Sequence, residues 1–216
     1  MHDLLAALDA LPPGDAVFDL DGTLIQHDIG EAVLRRIVAR GPLPAASRAL
    51  LGDADPWGAY LALDPVTQCV AAAQALAGLT RPHVEQLVDA CFAEGDVAPN
   101  APVCELAAAI ARRHRVWILT GSAEVLGQLV APRVGVRFVF GLRLEMDGGH
   151  FSDRVVLPIT CSEGKVHASW VTLGRRPVFA IGDSPWDVHV LRFAHLARTT
   201  GRAAGQEFPA FPSIIG

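Results

Sequence analysis

Apolar positions fall along this chain in two patterns. Short runs rich in Val, Ile, Leu or Phe that end in small or polar residues recur at "DAVFD" (15–19), "VWILTG" (116–121), "VRFVFG" (136–141), "PVFAIGD" (177–183) and "LARTT" (196–200). Continuous apolar runs of this length predict strands buried on both faces. Between several of them lie segments with helical spacing, such as Val103 to Arg113 and Ala123 to Ala131. Strands alternating with helices predict an α/β fold with a doubly wound, mostly parallel sheet. "LRLEMDGGHFSDRVV" differs, because two alternating runs flank Asp147-Gly148-Gly149, and this predicts an inserted β-hairpin.

From about His27 to Val97 no strand pattern occurs, and Ala, Leu, Val and Gln dominate. Pro42, Pro44, Pro56, Pro65 and Pro82 divide the stretch into short helices, with Pro82 in position to open one after Thr80. The expected organisation is an α/β core of residues 1–26 and 98–216, interrupted after its first strand by a small helical domain of residues 27–97.

Composition narrows the function classes. A 216-residue chain that is 51% hydrophobic buries a substantial core. A net charge of −5 without a basic stripe excludes a nucleic-acid track. Cys69, Cys91, Cys104 and Cys161 form no Cys-x-x-Cys pair, so neither zinc nor a disulfide framework is expected. The opening residues lack a basic region and a cleavage site, and the most apolar run, "CVAAAQALAGL", is broken by Gln74 and too short for a bilayer. The expectation is a soluble cytoplasmic protein without membrane partners, its oligomeric state unspecified. Of the 18 basic residues only Lys165 is lysine, which points to a place where a planar guanidinium does not fit.

Chemistry gathers at predicted strand ends. Asp19 and Asp183 each close a strand, and ligands of open α/β sheets bind outside the carboxyl ends of strands. Converging carboxylates suit a hard cation such as Mg²⁺, whose shell phosphate oxygens complete. Thr120 offers a hydroxyl and a following backbone N–H, Gly121 permits close approach, and Lys165 offers a compact charge.

In this order, "DLDGT", "ILTGS", the lysine of "SEGK" and "GDSPWD" resemble the four motifs of the haloacid dehalogenase (HAD) superfamily, whose members are mostly Mg²⁺-dependent phosphatases. The helical insertion after the first motif, the hairpin and "EGKV" most resemble its phosphoserine-phosphatase-like branch with a helical cap. The resemblance implies a phosphoric monoester hydrolase in which Asp19 attacks phosphorus to form an aspartyl-phosphate. Asp21 then protonates the leaving alcohol and later deprotonates the hydrolytic water. An ionised carboxylate is already a nucleophile at neutral pH, whereas an alkoxide needs a proton from a second acid. Thr120, Gly121 and Lys165 would hold the phosphoryl oxygens. Asp19, the backbone carbonyl of Asp21, and Asp183 would bind Mg²⁺, and Asp187 would bind through water or orient Lys165. Ser122 and Ser184 are supporting donors.

The substrate is then a small-molecule phosphomonoester. In the resembling branch, an acid seven positions after the second aspartate meets the substrate's amino group, and Asp28 stands there. Residues 49–80 contain no Arg or Lys to grip a carboxylate, while Trp57 and Tyr60 lie three apart. These features admit an amine-bearing phosphate of the phosphoserine, phosphocholine or phosphoethanolamine type. Asp28 equally reads as a helix cap, and Trp57 and Tyr60 as packing residues. A phosphotransferase or phosphomutase of the same superfamily is the alternative activity, and a phosphorylation-receiver module a more distant one. His27 follows the first motif closely, and Cys161 reads as a small loop residue.

Overall fold

A computed structural model describes residues 2–200; the stretch 201–216, assigned above to the α/β core, lies outside the described residues. The centre of the molecule is strand β1 (Asp15–Phe18), buried along its whole length. Three of its four residues are apolar, so both faces pack without a polar group to solvate, and the Phe18 ring meets Phe179 at 5.6 Å.

Strands β4 (Arg115–Ala123) and β7 (Phe179–Gly182) flank β1 in parallel. The sheet continues outward to β5 (Phe138–Asp147) and β6 (His150–Val156) on one side and β8 (Leu196–Thr199) on the other, in the order β6-β5-β4-β1-β7-β8. Only β6 runs antiparallel, joined to β5 across Gly148-Gly149 as the expected hairpin. The sheet is covered by α1 (His2–Asp9), α7 (Ala101–Ile110), α8 (Glu124–Val130), α9 (Glu163–Leu173) and α10 (Val188–Phe193). Parallel pairing brings the carboxyl ends of β1, β4 and β7 to one edge of the sheet.

The opposite end of β1 is clamped. Buried Asp15 accepts hydrogen bonds from Arg115, Trp117 and Arg175, at 3.0, 2.9 and 2.7 Å. Trp117, read from sequence as a core strand residue, therefore sits half-buried with its indole N–H on this carboxylate, while Phe179 is wholly buried as expected.

Between β2 (Ile25–Gln26) and β3 (Ala98–Pro99) lie only helices: α2 (Ile29–Arg40), α3 (Ala45–Leu51), α4 (Pro56–Leu61), α5 (Pro65–Gln74) and α6 (Arg81–Ala93). Asp28, Asp55 and Asp64 cap α2, α4 and α5 through their carboxylates, and Pro56, Pro65 and Pro82 occupy first-turn positions where a missing N–H costs nothing. Leu34, Leu43, Leu51, Tyr60, Ala71 and Ala75 form an apolar cluster of their own here. β2 and β3 pair antiparallel and close the base of this unit, a pairing too short to show as a sequence pattern. The hairpin tip holds its far side, with Gly78 N donating to Phe151 O at 2.8 Å and Phe151 N to Leu79 O at 2.9 Å. No helix among the described residues is long and apolar enough to cross a membrane.

Candidate active site

Three chain breaks in regular pairing build the site at the carboxyl edge. β1 ends at Phe18, so Asp19 is the first residue free of the strand, its N–H still held by Ile181 O at 2.9 Å. The chain then turns at Gly22, whose φ of +75 and 2.1 Å approach to Asp183 Oδ2 by any added Cβ require glycine. β4 loses register between Leu119 and Ala123, and the bulge lifts Thr120, Gly121 and Ser122 out of the ladder. Asp183 follows the last residue of β7, and Lys165 lies in the first turn of α9.

Lys165 Nζ is 2.6 Å from Asp19 Oδ1 and 2.6 Å from Asp187 Oδ1. The other Asp187 oxygen accepts from Ser184 N and Oγ at 3.2 and 2.9 Å, which fixes the carboxylate that orients the lysine. Thr23, in the first motif but given no role from sequence, donates to Asp19 Oδ2 at 3.2 Å, with Asp183 Oδ1 at 3.4 Å from the same hydroxyl.

Asp21 points elsewhere. Its Oδ2 accepts from the hydroxyls of Thr120 and Ser122, both at 2.9 Å, and its Oδ1 from Ile29 N at 2.8 Å. The Thr120 hydroxyl also accepts from Ser122 N at 2.9 Å and is wholly buried. This departs from the expected use of that hydroxyl as a phosphate ligand: the bulge aims it at Asp21, while Gly121 and Ser122 line the open space. Ser122, expected as a supporting donor, meets Asp21 with its hydroxyl.

Asp19, Asp21, Gly121, Ser122, Lys165 and Asp183 floor a cavity of about 360 Å³, within the size range of small-molecule sites. Its roof comes from the helical insertion: Asp28 and Glu31 at the start of α2, Tyr60 of α4, Gln68 and Cys69 of α5. Asp28 lines the cavity and caps α2 together, accepting from Glu31 N at 2.8 Å. Trp57 does not line it. Its ring stacks on Tyr60 at 5.2 Å between centroids, with the Arg35 guanidinium 4.0 Å over it, so the tryptophan is consumed in packing. His27 also reaches the lining, whereas among the described residues no arginine does.

The electrostatics are dominated by buried carboxylates. Burial, then Asp187, pushes Asp19 well above the usual carboxylate range against the pull of Lys165. Burial raises Asp21 against its hydrogen bonds, and burial and Asp187 push Asp183 up to about 6. Burial alone would lower Lys165, but Asp187 and Asp19 outweigh it and hold the ammonium charged. Burial and Asp21 also raise Asp28. A site with several carboxylates around one ammonium is short of positive charge.

Asp19, Asp183 and Asp187 can each bring an oxygen within 4.8 Å of the others. Both Asp187 oxygens already serve Lys165 and Ser184, so Asp19 and Asp183 are the better-placed anionic donors. An all-oxygen set with uncompensated charge fits a hard divalent cation.

A sequence model of haloacid dehalogenase-like hydrolases matches residues 16–192. The chain belongs to this family. Among solved structures, a HAD family hydrolase from Salmonella enterica serovar Typhi superposes with a TM-score of 0.58 at 18% identity, over 86% of this chain; the match spans 62% of that longer chain. A protein of Anaerococcus prevotii gives a TM-score of 0.67 at 16% identity, covering 89% of this chain and 80% of that one. A substrate-bound phosphoserine phosphatase gives 0.58 at 16% identity, covering 88% and 86%. At such identities the likeness is one of fold. No curated protein matches the sequence. The HAD core accounts for the mostly parallel sheet and for the order of the four motifs along it.

Proposed function

We propose that this HAD protein is a Mg²⁺-dependent phosphomonoesterase that works through an aspartyl-phosphate on Asp19. The observation that carries the reading is the Asp19 carboxylate at the floor of a roofed cavity, 2.6 Å from a buried lysine and beside the Asp183 carboxylate. Mg²⁺ held by Asp19, Asp183 and the backbone carbonyl of Asp21 would supply charge that lets a phosphate dianion approach these acids.

Asp19 forms the bond to phosphorus as the bond to the leaving oxygen breaks. Asp21, whose burial favours the protonated form, gives its proton to that oxygen. In the second half Asp21 takes a proton from water, and water attacks phosphorus to free Asp19. Lys165 spreads the charge on the phosphoryl oxygens, Asp187 holds Lys165 in place, and Gly121 and Ser122 offer backbone N–H groups. Residues 27–97 act as a cap that keeps water from the intermediate. Transfer to an alcohol in place of water would make a phosphotransferase of the same site.

The roof narrows the substrate. Asp28 and Glu31 offer carboxylates, while burial, Asp28 and Glu31 hold the Tyr60 phenol in its protonated form. Lys165 is committed to Asp19 and Asp187, and no arginine is at hand for a carboxylate. Trp57 is taken up in stacking on Tyr60, so Tyr60 and Trp186 are the aromatic side chains that line the cavity and that a cationic head group would meet. The fit is to an amine-bearing ester without a carboxylate, of the phosphoethanolamine or phosphocholine type more than phosphoserine. Phosphate release with Mg²⁺ across these three esters and neutral sugar phosphates tests it, and equal kcat/KM for all would remove the amine preference.

A further inference from the structure

The mechanism leaves unused two thiols that face the same cavity. Cys69 comes from α5 of the helical insertion, and Cys161 from the loop between β6 and α9 in the α/β core. They meet over Gly121: a Cβ added there would lie 2.8 Å from Cys69 Sγ and 3.7 Å from Cys161 Cβ. Cys69 and, against burial, Lys165 lower the Cys161 thiol from its ordinary range, while Cys161 and burial push the Cys69 thiol up. Cys91 and Cys104 have no such neighbour among the described residues: Cys104 hydrogen-bonds Leu24 O, and Cys91 packs inside the apolar core.

We propose that Cys69 and Cys161 form a reversible disulfide that ties the helical insertion to the core and shuts the cavity. Thiols that line one cavity on either side of Gly121 need only draw together to an S–S bond of about 2.05 Å. With a peroxide as oxidant, the Cys161 sulfur attacks one peroxide oxygen, the O–O bond breaks, and water leaves as Cys161 becomes a sulfenic acid. The Cys69 sulfur then attacks the Cys161 sulfur, the S–O bond breaks, and the departing hydroxide takes the Cys69 proton as a second water. Two thiols and one peroxide give one disulfide and two waters, and a dithiol reductant reverses the change.

Among the described residues, the bond would span the only places where the cavity roof and floor offer sulfur to each other. It would lie across Gly121 and begin four residues before Lys165, so it blocks the floor as well as tethering α5. Ester could then neither enter nor leave. Formation of the bond does not depend on the proposed activity, whereas closure does, and the two are measured separately.

The reduced full-length protein is treated with hydrogen peroxide, and its mass and peptides are read before activity is assayed. The proposal expects a loss of about 2 Da, a cross-linked peptide pair containing Cys69 and Cys161, and phosphate release reduced at least about tenfold. Dithiothreitol should restore both. Cys69→Ser should lose the cross-link and, measured against its own reduced activity, most of the peroxide sensitivity. Oxygen adducts on separate cysteines, or a bond between other cysteines, would overturn the site. A Cys69–Cys161 bond that leaves the oxidised protein as active as the reduced one would overturn the closure. Peptide mapping of the wild-type chain decides the first point even if a variant fails to fold.

Discussion

Lys165 Nζ lies 2.6 Å from Asp19 Oδ1, in a position where only 5% of the lysine is exposed. That one contact joins the proposed nucleophile to the only lysine of the chain, across 146 positions of sequence. It also explains why arginine, which fills every other basic position, is absent here. A planar fork needs more room and more acceptors than the space between Asp19 and Asp187 provides.

Lys165→Arg is therefore expected to lower kcat by about 10²–10³, the loss typical of removing one charge-stabilising donor. The fold should persist, as judged by circular dichroism. A variant within a few-fold of wild type would show that charge alone suffices at this position.

Asp28 is expected to act on specificity. Asp28→Asn keeps an N-cap side chain for α2 but removes from the roof the carboxyl group that an amine would meet. The ratio of kcat/KM for phosphoethanolamine to that for a neutral sugar phosphate should fall roughly tenfold or more. An equal loss on both substrates would mean that Asp28 serves only the helix.

Ser122 is expected to position Asp21. Its hydroxyl donates to the same Asp21 oxygen as Thr120, so Ser122→Ala leaves that oxygen one partner short. Alkyl esters, which need a protonated leaving group, should lose about tenfold in kcat, and aryl esters such as p-nitrophenyl phosphate much less. A uniform loss across leaving groups would place Ser122 outside proton transfer.

The pH dependence of metal binding follows from Asp183, raised in the folded protein from an ordinary 3.8 to about 6. The folded, metal-free chain holds that proton more tightly than the unfolded chain. Stability from this group is thus present at low pH and is lost as pH rises from about 4 to about 6. Mg²⁺ displaces the proton, so its gain in Tm should be larger at about pH 7.5 than at about pH 5. A thermal shift independent of pH would contradict a role for Asp183 in holding the cation.

Much of the fold was legible because its strands are buried on both faces and so read as unbroken apolar runs. Asp19 and Asp183 were findable because each closes an apolar strand run, and Lys165 because it is the one lysine among 18 basic residues. What escaped the sequence is what depends on geometry at a break in pairing. The bulge after Leu119 turns the Thr120 hydroxyl to Asp21, and no pattern of residue types states a direction. Thr23 had no role on sequence grounds, and only the fold closes two carboxylates around its hydroxyl. Trp57 and Tyr60 were equivalent in spacing, yet only Tyr60 faces the cavity, because Arg35 and Tyr60 pack against the Trp57 ring. Cys69 and Cys161, 92 positions apart in the sequence, meet only once α5 folds over the sheet edge.

The central claim is that Asp19 carries the phosphoryl group. The measurement is the mass of the chain quenched in acid during turnover with Mg²⁺ and a good phosphomonoester, followed by peptide mapping. The account predicts an adduct of about 80 Da on the peptide containing Asp19, lost on mild alkaline treatment and absent from Asp19→Asn. Turnover by wild type with an adduct on another residue, or undiminished phosphate release by a folded Asp19→Asn protein, would contradict it.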